Sequence, residues 1–374
     1  SERRETPASP CDCRRFLPRT KSGRDKRRLG IPLTSSVRIA VDAMGGEFGP
    51  SVTVSALISS LERHPNVEAD LFGNKAAISV ELDQASSQVK SRISVYHSDG
   101  EVCDNDKPST VLRQKRDSSM GLAINAVATR QVDACISAGN TGALMALGLI
   151  NLKTLPGISR PAICTTFPTV EGRTYVLDLG ANIHSSAGQL HEFAILADLT
   201  AKLLDNIANP TVRLLNVGVE DIKGSEELQQ AAILLESDSS INYSGFIEGD
   251  GIFEGIADIV VCDGFSGNIA LKTTEGFANM ISVILEDLVK KNWLARLALG
   301  VFSRSFKDLK NRLDPSLYNG AYLLGLDGVV VKSHGSASRK AFGHALDVAI
   351  EAAAHNLPKA LSPLLQAKFI DITE

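Results

Sequence analysis

Short apolar runs followed by small polar residues recur six times along the chain. Each run is rich in β-branched residues, ends in glycine with Asn, Ser, Thr or Asp, and is followed by apolar residues at helical spacing. The six segments are VRIAVDAMGGEFGP (37–50), ACISAGNTGAL (134–144), YVLDLGANIHSS (175–186), VRLLNVGVEDIKGSEE (212–227), DIVVCDGFSGNIALK (258–272) and GVVVKSHGSASRKAF (328–342). The pattern predicts six strand, loop and helix units.

The same pattern predicts how these units assemble. Strands that are apolar on both faces, separated by enough chain for a crossover helix, indicate an α/β fold with a mainly parallel sheet covered on both sides. Right-handed crossovers are then expected to bring all six loops to one carboxyl edge. A hydrophobic content of 44% with only 5% aromatic residues is typical of helices packed on a sheet. We expect a single domain over residues 37–374.

The longest of the uncharged runs, residues 134–152, contains a polar turn at Gly139–Gly142. It therefore predicts a buried strand at 135–137 and a packed helix from about Thr141 to Lys153 instead of a membrane span. A glycine-rich turn at a helix start directs several backbone N–H groups outward, where the helix dipole favours an anion. For any single loop, capping of the helix by Asn140 or Thr141 is an equally good reading. Six such loops on one edge favour the anion site.

The first 36 residues differ from the rest in charge. They hold ten Lys/Arg and four Asp/Glu, a balance of +6, which leaves −10 for the remainder of a chain whose net charge is −4. Without an apolar signal segment or helical period, residues 1–36 are predicted to be a disordered basic extension. A transit peptide or a misplaced start codon are the alternatives.

Cysteine spacing and standard motifs exclude several classes of site. The six cysteines form no C-x-x-C pair, which favours a reduced, cytoplasmic setting, and Cys135, Cys164 and Cys262 lie in apolar runs typical of buried thiols. No nucleotide P-loop, G-x-G-x-x-G after the first strand, G-x-S-x-G elbow or H-E-x-x-H motif is present. His184, His191 and Glu192 have no metal-motif spacing and are interpreted as a solvated helix face.

Polar residues at the predicted loop ends suggest a different chemistry. They are amides, hydroxyls, carboxylates and lysines, without an activated protein nucleophile: Asp42, Asn140, Thr141, Asp178, Asn182, Lys223, Asp263, Ser266, Asn268, Lys332 and His334. Such a set suits a reaction whose nucleophile arrives as a substrate. The three aspartates are interpreted as helix caps or partners of lysines, because a carboxylate would repel an anionic substrate.

Residues 281–313 have a basic, amphipathic pattern. Between 290 and 312 there are seven Lys/Arg and one acid, and apolar residues recur at helical spacing, which predicts a protruding helix or helical hairpin. The longest uncharged stretch there has seven residues, too few to span a membrane. Dimer packing, an anionic lipid surface and an acidic carrier protein are competing partners. The basic residues available for the last two are Lys290, Lys291, Arg296, Arg304 and Lys307.

Nine ordered segments resemble a known family. AVDAMGGEFGP, KPSTVLRQKRDSSM, SAGNTGALMA, LDLGAN, NVGVEDIKGSEE, FIEGDGIF, VVCDGFSGNIALKTTEG, DPSLYNGAYLLG and GVVVKSHGSAS are similar, over about residues 37–350, to the bacterial phosphate acyltransferases of phospholipid synthesis, the PlsX family. The resemblance implies a Rossmann-like α/β/α sandwich related to the phosphotransacetylases and the isocitrate/isopropylmalate dehydrogenases. It implies a homodimer that uses no cofactor, metal or nucleic acid.

The resemblance also implies an activity and a cellular place. The activity is acyl transfer from acyl-[acyl-carrier-protein] to inorganic phosphate, and the acyl phosphate product supplies a membrane glycerol-3-phosphate acyltransferase. The place is the cytoplasm, with peripheral contact at the anionic inner face of the plasma membrane. A phosphotransacetylase acting on acyl-coenzyme A and a non-catalytic membrane-surface scaffold for lipid enzymes are the alternatives.

Two sets of site residues follow as hypotheses. The proposed catalytic residues are Asn140, Asn182, Lys223, Asn268, Lys332 and His334. The proposed phosphate- or substrate-binding residues are Gly45, Gly46, Ser137, Gly139, Thr141, Gly142, Gly264, Ser266, Gly267, Ser333, Gly335 and Ser336. In this hypothesis the loops bind phosphate or the developing oxyanion while the cations add positive charge.

Overall fold

Eleven strands form one sheet within the part of the chain that the structure, a computed structural model, describes: residues 36–170, 172–291 and 314–373. The strands are β1 (Val37–Asp42), β2 (Val67–Gly73), β3 (Ile93–His97), β4 (Ala134–Ser137), β5 (Ala162–Thr169), β6 (Gly172–Leu177), β7 (Thr211–Leu215), β8 (Asn242–Ile247), β9 (Ile259–Val261), β10 (Ala321–Leu324) and β11 (Val329–Lys332).

Helices connect these strands. They are α1 (Pro50–Arg63), α2 (Lys75–Leu82), α3 (Ser87–Lys90), α4 (Pro108–Gln114), α5 (Ser119–Ala128), α6 (Thr141–Leu152), α7 (Ala187–Asp205), α8 (Glu226–Ser237), α9 (Gly264–Lys291), α10 (Arg339–Ala354) and α11 (Leu357–Thr373), with 3-10 turns at Gly251–Glu254 and Pro315–Tyr318. All six predicted strand, loop and helix units are confirmed. Helix α6 begins at Thr141, as the Gly-Asn-Thr-Gly turn predicts.

The sheet is mainly parallel, as expected, and both of its faces are buried. Side chains alternate along each strand, so Ile39 and Val41 pack on one face while Ala40 packs on the other. Helices α1, α7, α10 and α11 cover the first face, and α5 and α6 cover the second. This is the predicted three-layer α/β/α arrangement, and it explains why the strands are continuously apolar in sequence.

One prediction about the sheet is wrong. The strand order is β3-β2-β1-β4-β11-β10-β5-β6-β9-β7-β8, and three consecutive pairings, β11 with β10, β10 with β5 and β5 with β6, are antiparallel. Three reversals make β6, β9, β7 and β8 run opposite to β1, β4 and β11. The six glycine-bearing loops therefore do not share one carboxyl edge.

The register nevertheless brings two groups of loops to the same level. Val331 pairs with Tyr322, Tyr322 pairs with Cys164, and Thr165 pairs with Val176, so Leu177 lies opposite Cys164. The carboxyl end of β6 is consequently level with the carboxyl end of β11, although the strands run in opposite directions. The two groups of loops face each other across β10 and β5.

The two predicted basic segments fall largely outside the described residues. Of the extension at 1–36, only Ser36 is described. Helix α9 confirms the helical prediction for residues 281–291, whereas Arg296, Arg304 and Lys307 lie outside the described residues. Over the described ranges, no helix combines the length and hydropathy needed to cross a membrane.

Candidate functional site

Three adjacent strands, β1, β4 and β11, end in turns that are hydrogen-bonded to one another. We call residues 42–47, 138–142 and 333–336, together with Ser137 and Lys332 at the strand ends, the β1/β4/β11 turn cluster. Ser137 Oγ donates to Asp42 Oδ2 at 2.6 Å and accepts from the Gly139 N–H at 3.0 Å. The Ser333 N–H donates to Ser137 O at 2.9 Å, and the Glu47 N–H to Gly335 O at 2.9 Å. The three turns therefore form one unit.

Glycine is required where these turns approach each other. A Cβ on Gly45 would lie 2.8 Å from Asp42 Oδ2 and 2.8 Å from the Gly139 amide nitrogen. Gly46 has a φ of +87°, and a Cβ there would lie 2.7 Å from Gly335 O. Side chains at these positions would separate the turns, so the glycines keep the backbone amides of the cluster close together.

A lysine from the end of β11 and a histidine from the turn after it lie in the turn cluster. Lys332 donates from Nζ to Ala138 O at 3.3 Å and also to Ser333 O. Burial and the nearby charge of Lys272 lower the pKa of Lys332 to about 8, although Asp104 and Asp42 oppose the shift. His334 is half exposed, and burial together with Lys272 and Lys332 lowers its pKa. The cluster thus combines a cation with an imidazole that stays neutral at pH 7.

A second cation, Lys272, comes from α9. Lys272 Nζ lies 2.8 Å from His334 Nε2 and 2.8 Å from Glu275 Oε2, and the same Glu275 oxygen lies 3.7 Å from His334 Nε2. Sequence reasoning missed Lys272 and Glu275. The signal that points to them is helical spacing, because Asn268, Lys272 and Glu275 recur at i, i+4 and i+7 on α9.

Asn140 is engaged at both ends of its amide. Oδ1 accepts from the Ala143 N–H at 3.0 Å and caps α6, while Nδ2 donates to Asp104 O at 2.6 Å and Asp106 O at 3.1 Å. The capping reading therefore holds for Asn140, with the added role of fixing the loop before α4. The Thr141 and Gly142 amides lie in the first turn of α6, where backbone N–H groups have no partner within the helix.

The loops after β6 and β9 form the second group. Asp178 is fully buried and accepts from the backbone N–H groups of Ile163, Gly180, Ala181 and Asn182. Burial raises its pKa even though these hydrogen bonds oppose the rise. Asn182 Nδ2 donates to Pro161 O and to Asp178 Oδ2, both at 2.9 Å. Asn182 therefore holds the loop and has no free donor.

Helix α9 starts against this loop. The Gly264 N–H donates to Asn182 O at 2.8 Å, and a Cβ on Gly267 would lie 1.8 Å from Asp178 O. Asp263 caps the helix through the Ser266 N–H at 2.8 Å and the Ser266 hydroxyl at 3.0 Å. Gly264, Ser266 and Gly267 thus serve packing and capping. Asn268, by contrast, is exposed beside Gly180, and its side chain makes no hydrogen bond within the described ranges.

All three aspartates make structural contacts, but the predicted role as a helix cap or lysine partner is confirmed only for Asp263. Asp263 caps α9, Asp178 organises the β6 loop, and Asp42 accepts from Ser137. Burial raises the pKa of Asp42, opposed by hydrogen bonds from Ser119, Ser137 and the backbone of Met44 and Gly45.

Lys223 is not brought to this site. It is exposed, and its Nζ pairs with Glu220 Oε2 at 2.9 Å in the loop after β7. Five strand-to-strand steps separate β7 from β11 in the sheet, which corresponds to roughly 24 Å. The structure therefore groups Lys332 and His334 with Lys272 and leaves Lys223 apart.

The histidine and cysteine predictions have mixed outcomes. The prediction of a solvated helix face is wrong for His191, which is largely buried with its Nε2 2.9 Å from Asp238 Oδ2, whereas Glu192 accepts from Ser159 at the surface. Across the described ranges, no group of three or more His, Cys, Asp or Glu side chains has metal-site geometry. Cys135, Cys164 and Cys262 are buried as predicted, and burial raises the pKa of each thiol.

Asn319 is a further residue that the sequence did not single out. Its Nδ2 donates to Ser333 Oγ at 2.8 Å and to Ala341 O at 2.8 Å, and its Oδ1 accepts from the His334 N–H at 2.9 Å. It therefore fixes the turn after β11 against α10. Asn319 follows a 3-10 turn, outside the strand and helix patterns from which the site residues were predicted.

Comparison with known proteins gives consistent matches over most of the chain. A family model described as "Fatty acid synthesis protein" matches residues 37–360. The phosphate acyltransferase of Nitrosococcus oceani is 46% identical over 331 residues, 88% of this chain and 97% of that protein. The phosphate acyltransferase of Alcanivorax borkumensis is 48% identical over 330 residues, 88% of this chain and 97% of that protein.

Solved structures share the fold at much lower sequence identity. A phosphotransacetylase from Streptococcus pyogenes matches with a TM-score of 0.57 and 16% identity, over 85% of this chain and 94% of that chain. The EutD phosphotransacetylase from Staphylococcus aureus matches with a TM-score of 0.55 and 16% identity, over 86% of this chain and 96% of that chain. The expected relation to the phosphotransacetylase fold is confirmed.

Proposed function

We propose, from the premise that this chain belongs to the fatty acid synthesis protein family, that it transfers the acyl group of an acyl-[acyl-carrier-protein] thioester to inorganic phosphate. The chain is an acyl-transferring enzyme, and acyl transfer to phosphate agrees with the names of its relatives. The carrier-protein donor and the supply of acyl phosphate for phospholipid synthesis are the finer parts of the proposal.

The observation that supports phosphate as the nucleophile is the β1/β4/β11 turn cluster. Its close turns combine the first-turn amides of α6 with the ammonium group of Lys332, beside the imidazole of His334. Amides at a helix start and a lysine are the groups that bind phosphate in proteins. Of the two acidic side chains in the cluster, Asp42 is buried and engaged by Ser137, whereas Glu47 is exposed.

The reaction follows from this arrangement. A phosphate oxygen of HPO₄²⁻ attacks the thioester carbonyl carbon, the carbon–sulfur bond breaks, and the phosphate proton ends on the departing thiolate. The products are the acyl phosphate dianion and a free thiol, so atoms and charge balance. Phosphate is already an anionic nucleophile, and the enzyme has to bind it, orient it and stabilise the oxyanion of the tetrahedral intermediate.

A donor comparison tests the proposal. Purified full-length protein is mixed with phosphate and either acyl-[acyl-carrier-protein] or acyl-coenzyme A, thiol release is followed, and the product is trapped with hydroxylamine as a hydroxamate. We expect phosphate-dependent release from the carrier-protein thioester with stoichiometric hydroxamate. Release that does not depend on phosphate would refute acyl phosphate formation.

The second candidate function is a phosphotransacetylase that uses acyl-coenzyme A. The shared fold with phosphotransacetylases favours it, because the same turns could bind phosphate with either donor. A clearly higher kcat/KM for acyl-coenzyme A than for the carrier-protein thioester would select this function.

The remaining partners are part of the same proposal. We place the enzyme in the cytoplasm as a homodimer, with the basic arm that begins in α9 contacting the anionic inner face of the plasma membrane near a glycerol-3-phosphate acyltransferase. The stripe of exposed apolar residues on α9, which includes Phe277, Met280 and Val283, supports a surface of contact there. Co-sedimentation with neutral and anionic vesicles tests the membrane contact, and indifference to lipid charge would refute it.

A further inference from the structure

The contact between α9 and the turn after β11 has an unusual chemical form. Lysine can only donate hydrogen bonds, so a Lys272 Nζ to His334 Nε2 distance of 2.8 Å requires Nε2 to be the accepting, unprotonated nitrogen. The Ser336 backbone N–H also points at Nδ1, at 3.2 Å, but the charge-assisted contact with Lys272 is the stronger one and places the ring proton on Nδ1, where Ser336 Oγ at 2.9 Å can accept it. The imidazole lone pair that could accept a substrate proton is therefore occupied by Lys272.

We infer that Lys272 is a phosphate-binding residue that blocks His334 in the empty site, and that its transfer to the incoming phosphate frees His334 Nε2 to accept the phosphate proton. This inference rests on the proposed function, because it assigns roles within the phosphate site. The contact between Lys272 of α9 and His334 does not follow from the sequence motifs.

The charges around His334 support an exchange of partners. Lys272 and Glu275 face it from α9, Lys332 from β11, and Glu47 from the turn after β1. Lys272 is about half exposed and is held by a single Glu275 oxygen at 2.8 Å, so it is free to rotate toward a dianion. A phosphate attracts a lysine more strongly than a neutral imidazole does, since both partners are then charged.

The freed imidazole would act as a proton carrier. Nε2 accepts the proton of HPO₄²⁻ as the phosphate oxygen bonds to the carbonyl carbon, and then donates it to the thiolate as the carbon–sulfur bond breaks. The imidazole returns to its neutral form, so no other proton source is needed. A histidine whose pKa is lowered by burial, and further by Lys272 and Lys332, is neutral at pH 7 and is available for this task.

Histidine titration tests the contact without requiring activity. The full-length protein is labelled with ¹³C-histidine, His334 is assigned by loss of its signal in His334→Gln, and its pKa is measured by NMR. We expect the pKa to rise in Lys272→Met, because a neighbouring cation is lost, and to fall in Glu275→Gln, because an anion is lost. Lys90→Met, which removes an exposed lysine paired with Asp83 on another part of the surface, should leave it unchanged. An unshifted His334 in both α9 variants would overturn the inference.

Phosphate kinetics test the second part of the inference, that Lys272 binds the incoming phosphate. In Lys272→Met the KM for phosphate should increase roughly ten- to hundredfold, the range for one charge-assisted hydrogen bond, while the KM for the acyl donor stays within about twofold. Saturating phosphate should also shift the His334 signal in the wild type and leave it in place in Lys272→Met. An unchanged KM for phosphate in Lys272→Met would refute the role of Lys272. If the wild-type protein showed no phosphate-dependent thiol release, the proposed function itself would be refuted.

Discussion

Lys332 gives the site a pH dependence that can be measured. Burial and Lys272 lower its pKa to about 8, so its ammonium group is positive at pH 7 and loses the proton as the pH rises through about 8. Because the cation is needed to bind an anion, kcat/KM for phosphate should fall above that pH. In Lys332→Arg the guanidinium stays charged, and the alkaline limb should move upward by two or more units at a lower maximum rate. The test is kcat/KM for phosphate measured from pH 6 to 10. If the alkaline limb lies at the same pH in Lys332→Arg as in the wild type, Lys332 does not control it.

Residue roles could be predicted only where they depend on local sequence. The caps of α6 and α9 by Asn140 and Asp263 follow from their positions before a helical pattern. The contact of Lys272 with His334 could not be predicted, because it joins residues 62 positions apart and depends on how α9 crosses the sheet. Asn182 was assigned to catalysis because amides at loop ends look alike until their partners are known.

At the level of elements, α9 is positioned by one very close approach. Gly267 faces Asp178 O so closely that a Cβ would lie 1.8 Å from it, whereas a Cβ on Gly276 in the same helix would meet nothing within 4 Å. Gly267→Ala should therefore displace the start of α9 and lower the free energy of unfolding by more than about 3 kcal/mol. Gly276→Ala should instead raise it by up to about 1 kcal/mol, because alanine has the higher helix propensity.

Urea unfolding of the two variants checks this contrast. Gly267 and Gly276 lie in the same helix, so a general effect of alanine on the stability of α9 would change the free energy of unfolding of both variants. Equal effects of the two substitutions would contradict the close packing of α9 on the β6 loop.

The order of elements was predictable, but the direction of half of the strands was not. Hydrophobic runs with following helices indicate all six strand, loop and helix units. Strands β5 and β10 reverse the sheet, and nothing in their short apolar patterns distinguishes an antiparallel from a parallel neighbour. Whether a strand is parallel or antiparallel to its neighbour depends on pairing with strands far apart in the sequence. The two groups of loops lie at the same level because of the strand register, which places Leu177 at the end of β6 level with Val331 of β11.

At the scale of the whole molecule, α11 is joined to the body by a half-buried ionic network. Asp238 at the end of α8 accepts from Lys368 of α11 at 2.8 Å and lies 2.9 Å from His191 of α7. Burial raises the pKa of Asp238, but hydrogen bonds from Lys368, Ser240 and His191 outweigh it and lower the pKa to about 2. Three helices thus depend on one carboxylate.

Stability should follow the protonation of that carboxylate. A folded-state pKa of about 2, below the ordinary value near 3.9, means that the contribution is complete above about pH 4 and is lost as the pH falls toward 2. Asp238→Asn should lower the free energy of unfolding by about 1 kcal/mol at pH 7, after allowance for solvent screening, and by less at pH 3. Asp83→Asn, at an exposed ion pair, should have no measurable effect. A deficit in Asp238→Asn that is independent of pH would contradict this account.

The central claim is that phosphate binds at the β1/β4/β11 turn cluster and not at the loops after β6 and β9. The most direct test is the KM for phosphate in two matched glycine variants. Gly46 and Gly180 both have a positive φ, at +87° and +123°, and lie in the first and second group of loops. Gly46→Ala should raise the phosphate KM at least tenfold by opening the turns, while Gly180→Ala leaves it within about twofold. The reverse result, with phosphate binding lost only in Gly180→Ala, would contradict the assignment.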